Sequence, residues 1–581
     1  MYILGICDSQ DSGAVLVEDQ NNINDLTESI TAVNEERITR TKLKGGFPLF
    51  SIKEVMRIRN VKSGDIKLVV VASHMTPVSI LRKFNKYHEK IRNKNSQFSF
   101  LLSLYIGYQV FAKKIKFMEK LEAYFSKLII KSKLKKIGIK AQLLTVEHHQ
   151  AHAYGAYATS GFNKALIFTI DGLGDGVSFT VNIGEQGKVK RIFEQDAQND
   201  ITLYYSRLTE KLGFIPIQDE GKVMGLAAYS QCYTENAKNS ENSKYLKPGI
   251  LLRTEAGSFR KRNYLFSLFR DRDYYGQIKS NRNVETAAAF QEHLEKKITE
   301  VVNHWIKKTG IKDIVLSGGF FANIKVNQKI CQLDTVNDVY IFPHMGDGGL
   351  ALGAVYVVKK IKPFKIKNIF WGNDFNQDEI KLVLEENKVN YQFFNNIEEQ
   401  IAKFLSQGAI VARFNGPMEF GPRALGNRSI IAQATDKSIQ LFLNQKLARD
   451  AFMPFAPAIL ATDREKCCLM PHKAGYTALF MNMGFNATEY LKKTCPAVVH
   501  EDGSIRPQFV TEQSNASFYK ILDAYKRITQ IPVLLNTSFN VHEEPIVCTP
   551  LDALKSFKKV SLDYLAIGNF LIKGENNEKN R

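Results

Sequence analysis

The sequence predicts an α/β protein of more than one domain. Three observations lead there. Apolar runs of strand length recur, and each ends in a turn rich in Gly, Asp or Asn. Several of these turns run directly into helical stretches. At 581 residues the chain is also too long for a single core. Buried strands that deliver Gly-rich turns at their ends are how α/β folds build phosphate and nucleotide sites.

The elements follow in order. "MYILGICDSQDSGAVLVED" reads as strand, polar turn, strand, and "KALIFTIDGLGDGVSFTVNI" (Lys164–Ile183) repeats that design. "KDIVLSGGFFANIKVNQKI" reads as strand, Gly-Gly turn, helix, and "VYIFPHMGDGGLALGAVYVVKK" as strand, loop, helix. Around Lys359–Ile380 the chain turns to Lys, Pro and Asn without periodicity, which suits a linker. Beyond it, "QGAIVARFNGPMEFGPRALGNRSIIAQ" predicts a strand, a Gly/Pro-rich loop and another strand. "IPVLLNTSFNVHEEPIVCTPLDAL" predicts a strand, a polar loop at Asn536-Thr537-Ser538, and a helix opened by Thr549-Pro550. No internal repeat or low-complexity segment stands out, and the tail after Lys573 is polar and expected to fray.

Composition is globular, with 44% hydrophobic and 24% charged residues. Seven cysteines, Cys232 in a polar loop among them, are scattered without a CxxC pair, which argues for a reducing compartment. The N-terminus does not read as a signal peptide, and no apolar run reaches the roughly 18–20 residues of a membrane span. A cytoplasmic protein is expected. Net charge is +20, unevenly spread. Between Leu81 and Lys140 stand 16 Lys/Arg against 3 Asp/Glu, a net of +13. Inside this segment lies the apolar stretch "FSFLLSLYIGYQVF". A helical insertion that packs its apolar part on the body and leaves Lys in water is the leading reading. Peripheral contact with an anionic membrane is the alternative, and nucleic acid is disfavoured.

"VEHHQAHAYGAY" crowds three of the chain's 11 histidines into five residues. His148 and His152 are four apart, so on a helix they share a face and can both reach one metal ion. A polar helix start without any ligand is the competing reading.

Taken together, ten segments carry a resemblance: "NEERITR", "EHHQAHA", "IDGLGDG", "DEGKVMGLAAY", "LSGGFFAN", "MGDGGLALGA", "MEFGPRALGNRSI", "MPFAP", "DGSIRPQ" and "NTSFNVHEEPIVCTPLDAL". In this order they resemble the O-carbamoyltransferases of nodulation-factor and antibiotic biosynthesis. The resemblance implies an actin-like ATPase-type domain (ASKHA, similar to the tRNA threonylcarbamoyladenosine enzymes) over 1–360, with the basic insertion at about 76–140. A linker at 361–375 and a YrdC-like domain over 376–581 would follow. It also implies a two-step reaction. Carbamoyl phosphate and ATP give carbamoyl-adenylate in the second domain. The first then moves the carbamoyl group to a hydroxyl of an acceptor, for which a sugar or glycan precursor is the leading expectation. A non-catalytic nucleotide- or glycan-binding relative and a nucleoside carbamoylase are the alternatives. A homodimer is left open.

The resemblance implies roles residue by residue. His148, His152, Asp171 and Asp347 would surround a divalent metal, Fe2+ first and Mn2+ second, with Mg2+ accompanying ATP. Gly318, Gly319 and Asn323 match the nucleotide-binding turn, against a plain strand-to-helix turn. Arg423, Arg428, Lys446, Arg449 and Arg506 are the cations for ATP and carbamoyl phosphate, against surface or interdomain salt bridges. Asn536 and Ser538 would add neutral hydrogen bonds, against a turn capped by its own side chains. Glu220 and Lys222 would orient or neutralise the phosphate, against a capping box with a solvated Lys.

One departure matters. Relatives commonly read Gly-His-Asp-Ser-Ser-Ala near the N-terminus, where this chain reads Ser9-Gln10-Asp11-Ser12-Gly13-Ala14. Gln10 cannot take a proton, and general-base help is worth roughly 10²–10⁴ in rate. Asp11 or His149 would then have to serve, the acceptor would have to be a better nucleophile, or the enzyme would be slow or inactive. Leu43 also stands where many relatives have His.

Overall fold

The computed structural model describes residues 1–19, 26–83, 98–197, 201–230, 283–470 and 472–574. Cys232 and the end of the polar tail lie outside them. The first sheet contains β1 (Tyr2–Cys7), β2 (Gly13–Glu18), β3 (Ile30–Asn34), β4 (Ile66–Ala72) and β5 (Gln142–Val146), in spatial order β3-β2-β1-β4-β5. β1, β2 and β3 pair antiparallel, whereas β4 and β5 run parallel to β1. Between β4 and β5 the basic insertion carries helices α1 (Phe98–Lys114) and α2 (Lys116–Lys136). Helix α3 (His148–Ser160) follows β5.

The second sheet holds β6 (Lys164–Gly174), β7 (Val177–Glu185), β8 (Lys188–Asp196), β9 (Asp313–Ser317) and β10 (Asp338–Ile341), in order β10-β9-β6-β7-β8. Its pairings have the same senses as those of the first sheet. One five-stranded plan therefore occurs twice: three antiparallel strands, then two parallel to the first. The sequence itself shows no internal repeat. The duplication is topological, because the order of strands recurs while the residues do not. Helix α4 (Glu220–Ala227) lies between β8 and β9, α5 (Ile324–Cys331) follows β9, and α6 (Leu350–Lys359) follows β10.

α3 and α6 occupy equivalent places in the two units and pack on each other. A Cβ on Gly155 would sit 3.1 Å from Gly353 Cα, and one on Gly353 would run into the Ala151 carbonyl. Only a residue without a side chain permits this approach. α3 starts where the Glu147 side chain accepts a hydrogen bond from Gln150 N (2.7 Å) and stops at Gly161, whose φ of 73° is left-handed.

The third sheet is mixed and eight-stranded. It comprises β11 (Gln392–Phe393), β12 (Val411–Phe414), β13 (Arg428–Gln433), β14 (Ala456–Leu460), β17 (Gln508–Val510), β18 (Val533–Ser538), β19 (Tyr564–Ile567) and β20 (Phe570–Lys573). β15 (Phe485–Asn486) and β16 (Ser504–Ile505) form a separate ribbon. Helix α7 (Ser438–Lys446) follows β13. Helix α8 (Pro550–Val560) opens as its sequence predicts, with Pro550 in the first turn and Thr549 and Asp552 in a capping box. Asn536-Thr537-Ser538 is not a loop. These residues end β18 and pair with Ile431, Ile430 and Ser429 of β13.

The stretch read as a linker, residues 361–375, holds no helix or regular strand, yet it is not a solvated tether. Ile366, Ile369 and Trp371 are buried. Ala32 N donates to Trp371 O (3.0 Å) and Phe420 N to Ile369 O (2.8 Å). Its backbone thus fastens β3 to the loop that precedes β13.

The glycine crossing generates a prediction. Gly353→Ala forces helices α3 and α6 apart and should cost about 1–3 kcal/mol in urea denaturation, whereas Gly64→Ala, with open space around it, should change little.

Candidate metal centre and arginine recess

The helix register of "HHQAH" turns His148 and His152 to one side of α3. Asp171 lies on β6, and Asp347 lies in the turn just before α6. One ligand atom from each of the four lies within 4.8 Å of the others. His148 Nε2 is 3.3 Å from Asp171 Oδ2 and 3.6 Å from Asp347 Oδ1, and His152 Nε2 is 3.8 Å from Asp347 Oδ1. Both Nε2 atoms are buried without a hydrogen-bond partner. Buried polar atoms are normally satisfied, so two orphaned imidazole nitrogens facing two carboxylates fit a divalent cation.

The far sides of the ligands are held. His148 Nδ1 hydrogen-bonds to Ser73 Oγ at 2.8 Å, and His152 Nδ1 to Ser317 Oγ at 3.2 Å. Asp347 Oδ2 accepts from Ser9 Oγ at 2.6 Å, and Asp171 Oδ1 from Gly319 N at 2.9 Å. Such outer partners fix ring orientation and carboxylate direction. The three serines were not singled out in the sequence. Ser9 and Ser317 do sit at the strand ends that carry the Gly- and Asp-rich turns, which was the available signal. Gly318, with φ of 105°, packs where any Cβ would strike the Ile170 carbonyl, and so positions Gly319.

Other expected residues go elsewhere. His149 is sealed in the core, with Nδ1 against Thr169 Oγ1 (2.7 Å) and Nε2 against Val177 O (3.0 Å). Burial, then the neighbouring His148 and His152, hold it well below the ordinary histidine range. With both nitrogens engaged it has no lone pair for a substrate proton. Asn323 is buried and turned into the protein. It caps α5 by accepting from Val326 N (3.1 Å) and exchanges hydrogen bonds with Gln291 (2.8 and 3.2 Å). Glu220 Oε1 closes its own loop by accepting from Ser206 Oγ (2.7 Å) and Ile217 N (2.6 Å). Lys222 pairs with Asp219 (3.3 Å) and, across to the C-terminal half, with Asp450 (3.0 Å).

Asp11 lies on the β1–β2 turn beside half-buried Gln10, its Oδ2 3.7 Å from His344 Nε2. His344 was not anticipated. It is buried, hydrogen-bonds to Asn34 Oδ1 (3.2 Å), and its ring meets Phe420 edge-on at 4.9 Å. Burial, then the charge of Arg37, pushes it down to about 3, so it is neutral. Leu43 adopts a left-handed φ of 50° and donates its N–H to Glu36 (2.7 Å).

In the C-terminal half the loop Asn415–Asn427 presents Arg423. Glu419 Oε1 gathers the N–H groups of Leu425, Asn427 and Arg428 at 2.8–3.1 Å. Arg428 has a structural role: it is fully buried, stacks on Phe414, and donates from its two terminal nitrogens to the carbonyls of Asn415, Gly416, Asn427 and Asn373. Arg423, Arg449 and Arg506 differ. Each keeps some solvent contact while protein surrounds it, which describes a recess. Burial, then the charges of Arg423 and Arg449, hold Arg506 well below the ordinary arginine range. Burial brings Arg423 down to about 10, and the same value holds for Arg449, where Asp450 offsets part of the effect. Among the described residues neither Arg423 nor Arg506 forms an ion pair. Arg449 donates to Thr537 Oγ1 (3.2 Å). Asn536 donates to Gln508 (2.9 Å) and Ala424 O (3.3 Å), and leaves its own Oδ1 buried without a partner. Ser538 is half-buried at the end of β18, and Lys446 lies over the Phe442 ring. A separate polar cavity of about 590 Å³, lined by residues such as Lys325, Gln328, His500 and Asp502, contains none of the expected residues.

The sequence pattern of the carbamoyltransferase N-terminus matches residues 2–356, and that of the carbamoyltransferase C-terminus matches residues 402–574. The chain belongs to the carbamoyltransferase family. An uncharacterized protein of Methanocaldococcus jannaschii is 31% identical to this carbamoyltransferase over 98% of the chain and 99% of its own length. Nodulation protein NolO of Bradyrhizobium diazoefficiens is 30% identical over 74% of the chain and 79% of its own length. Nodulation protein NolNO of Sinorhizobium fredii is 29% identical over 97% and 79%. Among solved structures, component A of the Acidaminococcus fermentans (R)-2-hydroxyglutaryl-CoA dehydratase overlays 62% of the chain and 99% of its own, at 13% identity and a TM-score of 0.32. HypF of T. kodakarensis overlays 62% of the chain and 47% of its own, at 12% identity and a TM-score of 0.31. At these scores the overlays add nothing to the topology read from the strands.

Charge at the centre generates the second prediction. Burial alone would lower His148, but Asp347 and Asp171 outweigh it and raise the ring from 6.5 to about 9. A raised folded-state value means that the protonated ring stabilises the metal-free enzyme fully below about pH 6.5, and that this is lost as pH rises through about 9. The metal-free melting temperature should fall across that window. A divalent metal needs the neutral ring, so its binding at pH 7 should release a proton and tighten as pH rises, measurable by calorimetry in buffers of different ionisation enthalpy.

Proposed function

We propose that this carbamoyltransferase is an ATP-dependent O-carbamoyltransferase with a sugar or glycan hydroxyl as acceptor. Carbamoyl phosphate, ATP and water give carbamoyl-adenylate, pyrophosphate and phosphate. The acceptor oxygen then attacks the carbamoyl carbon, the bond from that carbon to the adenylate oxygen breaks, and AMP leaves. We assign the first step to the C-terminal half, read as YrdC-like. The second step we assign to the N-terminal half, read as actin-like; its tandem five-stranded plan supports that reading.

The observation that carries this reading is the recess of Arg423, Arg449 and Arg506. Three guanidinium groups, with Arg423 lowering both Arg449 and Arg506 and two of the three without a carboxylate, are matched by a ligand rich in anionic oxygens. ATP and carbamoyl phosphate supply such oxygens. The orphaned Asn536 Oδ1 offers an acceptor for the carbamoyl amide.

His148, His152, Asp171 and Asp347 would hold a divalent ion, Fe2+ in the first place and Mn2+ in the second, because two imidazoles and two carboxylates suit these better than Mg2+. When bound, such an ion supplies positive charge for the adenylate phosphate. Mg2+ accompanies ATP. The chain's own residues orient and move protons. Ser73 and Ser317 hold the imidazole rings, and Gly319 N–H holds Asp171. With Gln10 unable to accept a proton and His149 engaged in the core, Asp11 takes the proton of the attacking hydroxyl.

The test mixes enzyme, ATP and carbamoyl phosphate and measures pyrophosphate. Release is expected, and Arg506→Ala should lower it about 10²–10³-fold. No release by the wild-type enzyme overturns the reading. Asp11→Asn should retain pyrophosphate release and lose about 10²–10⁴-fold in carbamoyl transfer to a sugar acceptor. Transfer to nucleosides instead of sugars would reassign the acceptor.

A further inference from the structure

We propose that the outward face of α1 and α2 is a docking surface for an anionic lipid bilayer. Nine of the 21 large apolar side chains exposed among the described residues fall between Leu104 and Leu128. That concentration marks a built surface, since scattered exposed apolar residues need no explanation. On α1, Leu104, Tyr108 and Phe111 follow at spacings of four and three, and on α2 Phe117, Leu121, Tyr124 and Leu128 do the same. Each set lines one helix face. Phe117 is 73% exposed and Tyr124 57%.

The opposite faces account for the fold. Ile106, Gln109 and Val110 are buried, and Gln109 Oε1 accepts from Gly176 N (3.2 Å) and Thr76 Oγ1 (3.1 Å). Ile130 and Leu134 bury against the first sheet's core. The apolar surface of the outward stripes is therefore not what seats these helices on the body.

Charge selects the partner. Lys114, Lys116, Lys120, Lys131, Lys135, Lys136 and Lys140 are exposed in this insertion. Its two described acids are engaged within the protein: Glu119 pairs with Lys113 (3.1 Å), and Glu122 accepts from Tyr108 OH (2.6 Å) and Ser79 N (2.9 Å). What faces outward is apolar surface set among lysines, the composition of a helix lying in an anionic membrane interface. A second copy of the chain would set lysine against lysine. No helix among the described residues is long and apolar enough to cross a membrane, so docking is peripheral.

The test is flotation of the full chain with vesicles of phosphatidylcholine alone and of phosphatidylcholine mixed with phosphatidylglycerol. Preferential flotation with the anionic vesicles, weakened by salt, is expected. The pair Phe117→Ser and Tyr124→Ser, and the pair Lys116→Glu and Lys120→Glu, should each weaken it about tenfold or more while pyrophosphate release is retained. Three results overturn the proposal: no flotation, equal flotation with neutral vesicles, or a dimer in light scattering that Leu121→Asp splits. Flotation does not depend on turnover, so this proposal and the catalytic reading fail separately.

Discussion

The contact between α3 and α6 is the constraint on which the N-terminal half depends. Helices carrying ordinary side chains cross with axes about 8–10 Å apart. Here Gly155 meets Gly353, and the backbones touch. Each helix brings its own candidate ligands, because β5 leads into His148 and β10 leads into Asp347. The close crossing converts two remote strand ends into one cluster. The N-terminus of α6, with its unsatisfied N–H groups, also favours a carboxylate at Asp347.

Two centres of opposite character result. The His/Asp cluster carries two carboxylates and welcomes a cation, whereas the arginine recess repels itself and welcomes an anion. His344 and the Asn415–Asn427 loop lie between them, with Phe420 on the His344 ring and Arg423 only two residues past Gly421. The halves are fastened by ion pairs such as Lys222–Asp450 (3.0 Å) and Lys325–Asp502, and also by neutral acceptors: Arg37 donates to Gly421 O (2.6 Å), and Arg40 to Ile546 O (2.6 Å) and Pro545 O (2.7 Å). That explains the "NEERITR" segment, to which the sequence alone attached no role. Arginines spent on carbonyls bind the halves without neutralising the recess.

The strands, the Gly-rich turns and the HxxxH face were legible because their signals are local. Period and turn chemistry are written within ten residues. Side-chain direction over a longer range was not. Arg423 and Arg428 share one motif, yet one enters the recess while the other is swallowed beneath the loop it supports. Asn323 has the chemistry of a nucleotide ligand and of a helix cap, and the neighbouring Gln291, distant in sequence, decided for the cap. Polar Asn536-Thr537-Ser538 suggested a loop, but the pairing with β13 drew the segment into the sheet.

The sequence by itself determined the α/β class, the paired histidines, the family and the basic apolar insertion. These rest on residue type, short spacing and order along the chain. Tertiary structure alone decided the duplicated sheet, the burial of His149 and Arg428, and the outward turn of the insertion's apolar stripes. It decided them because burial depends on which distant segment packs opposite, and no local pattern encodes that partner.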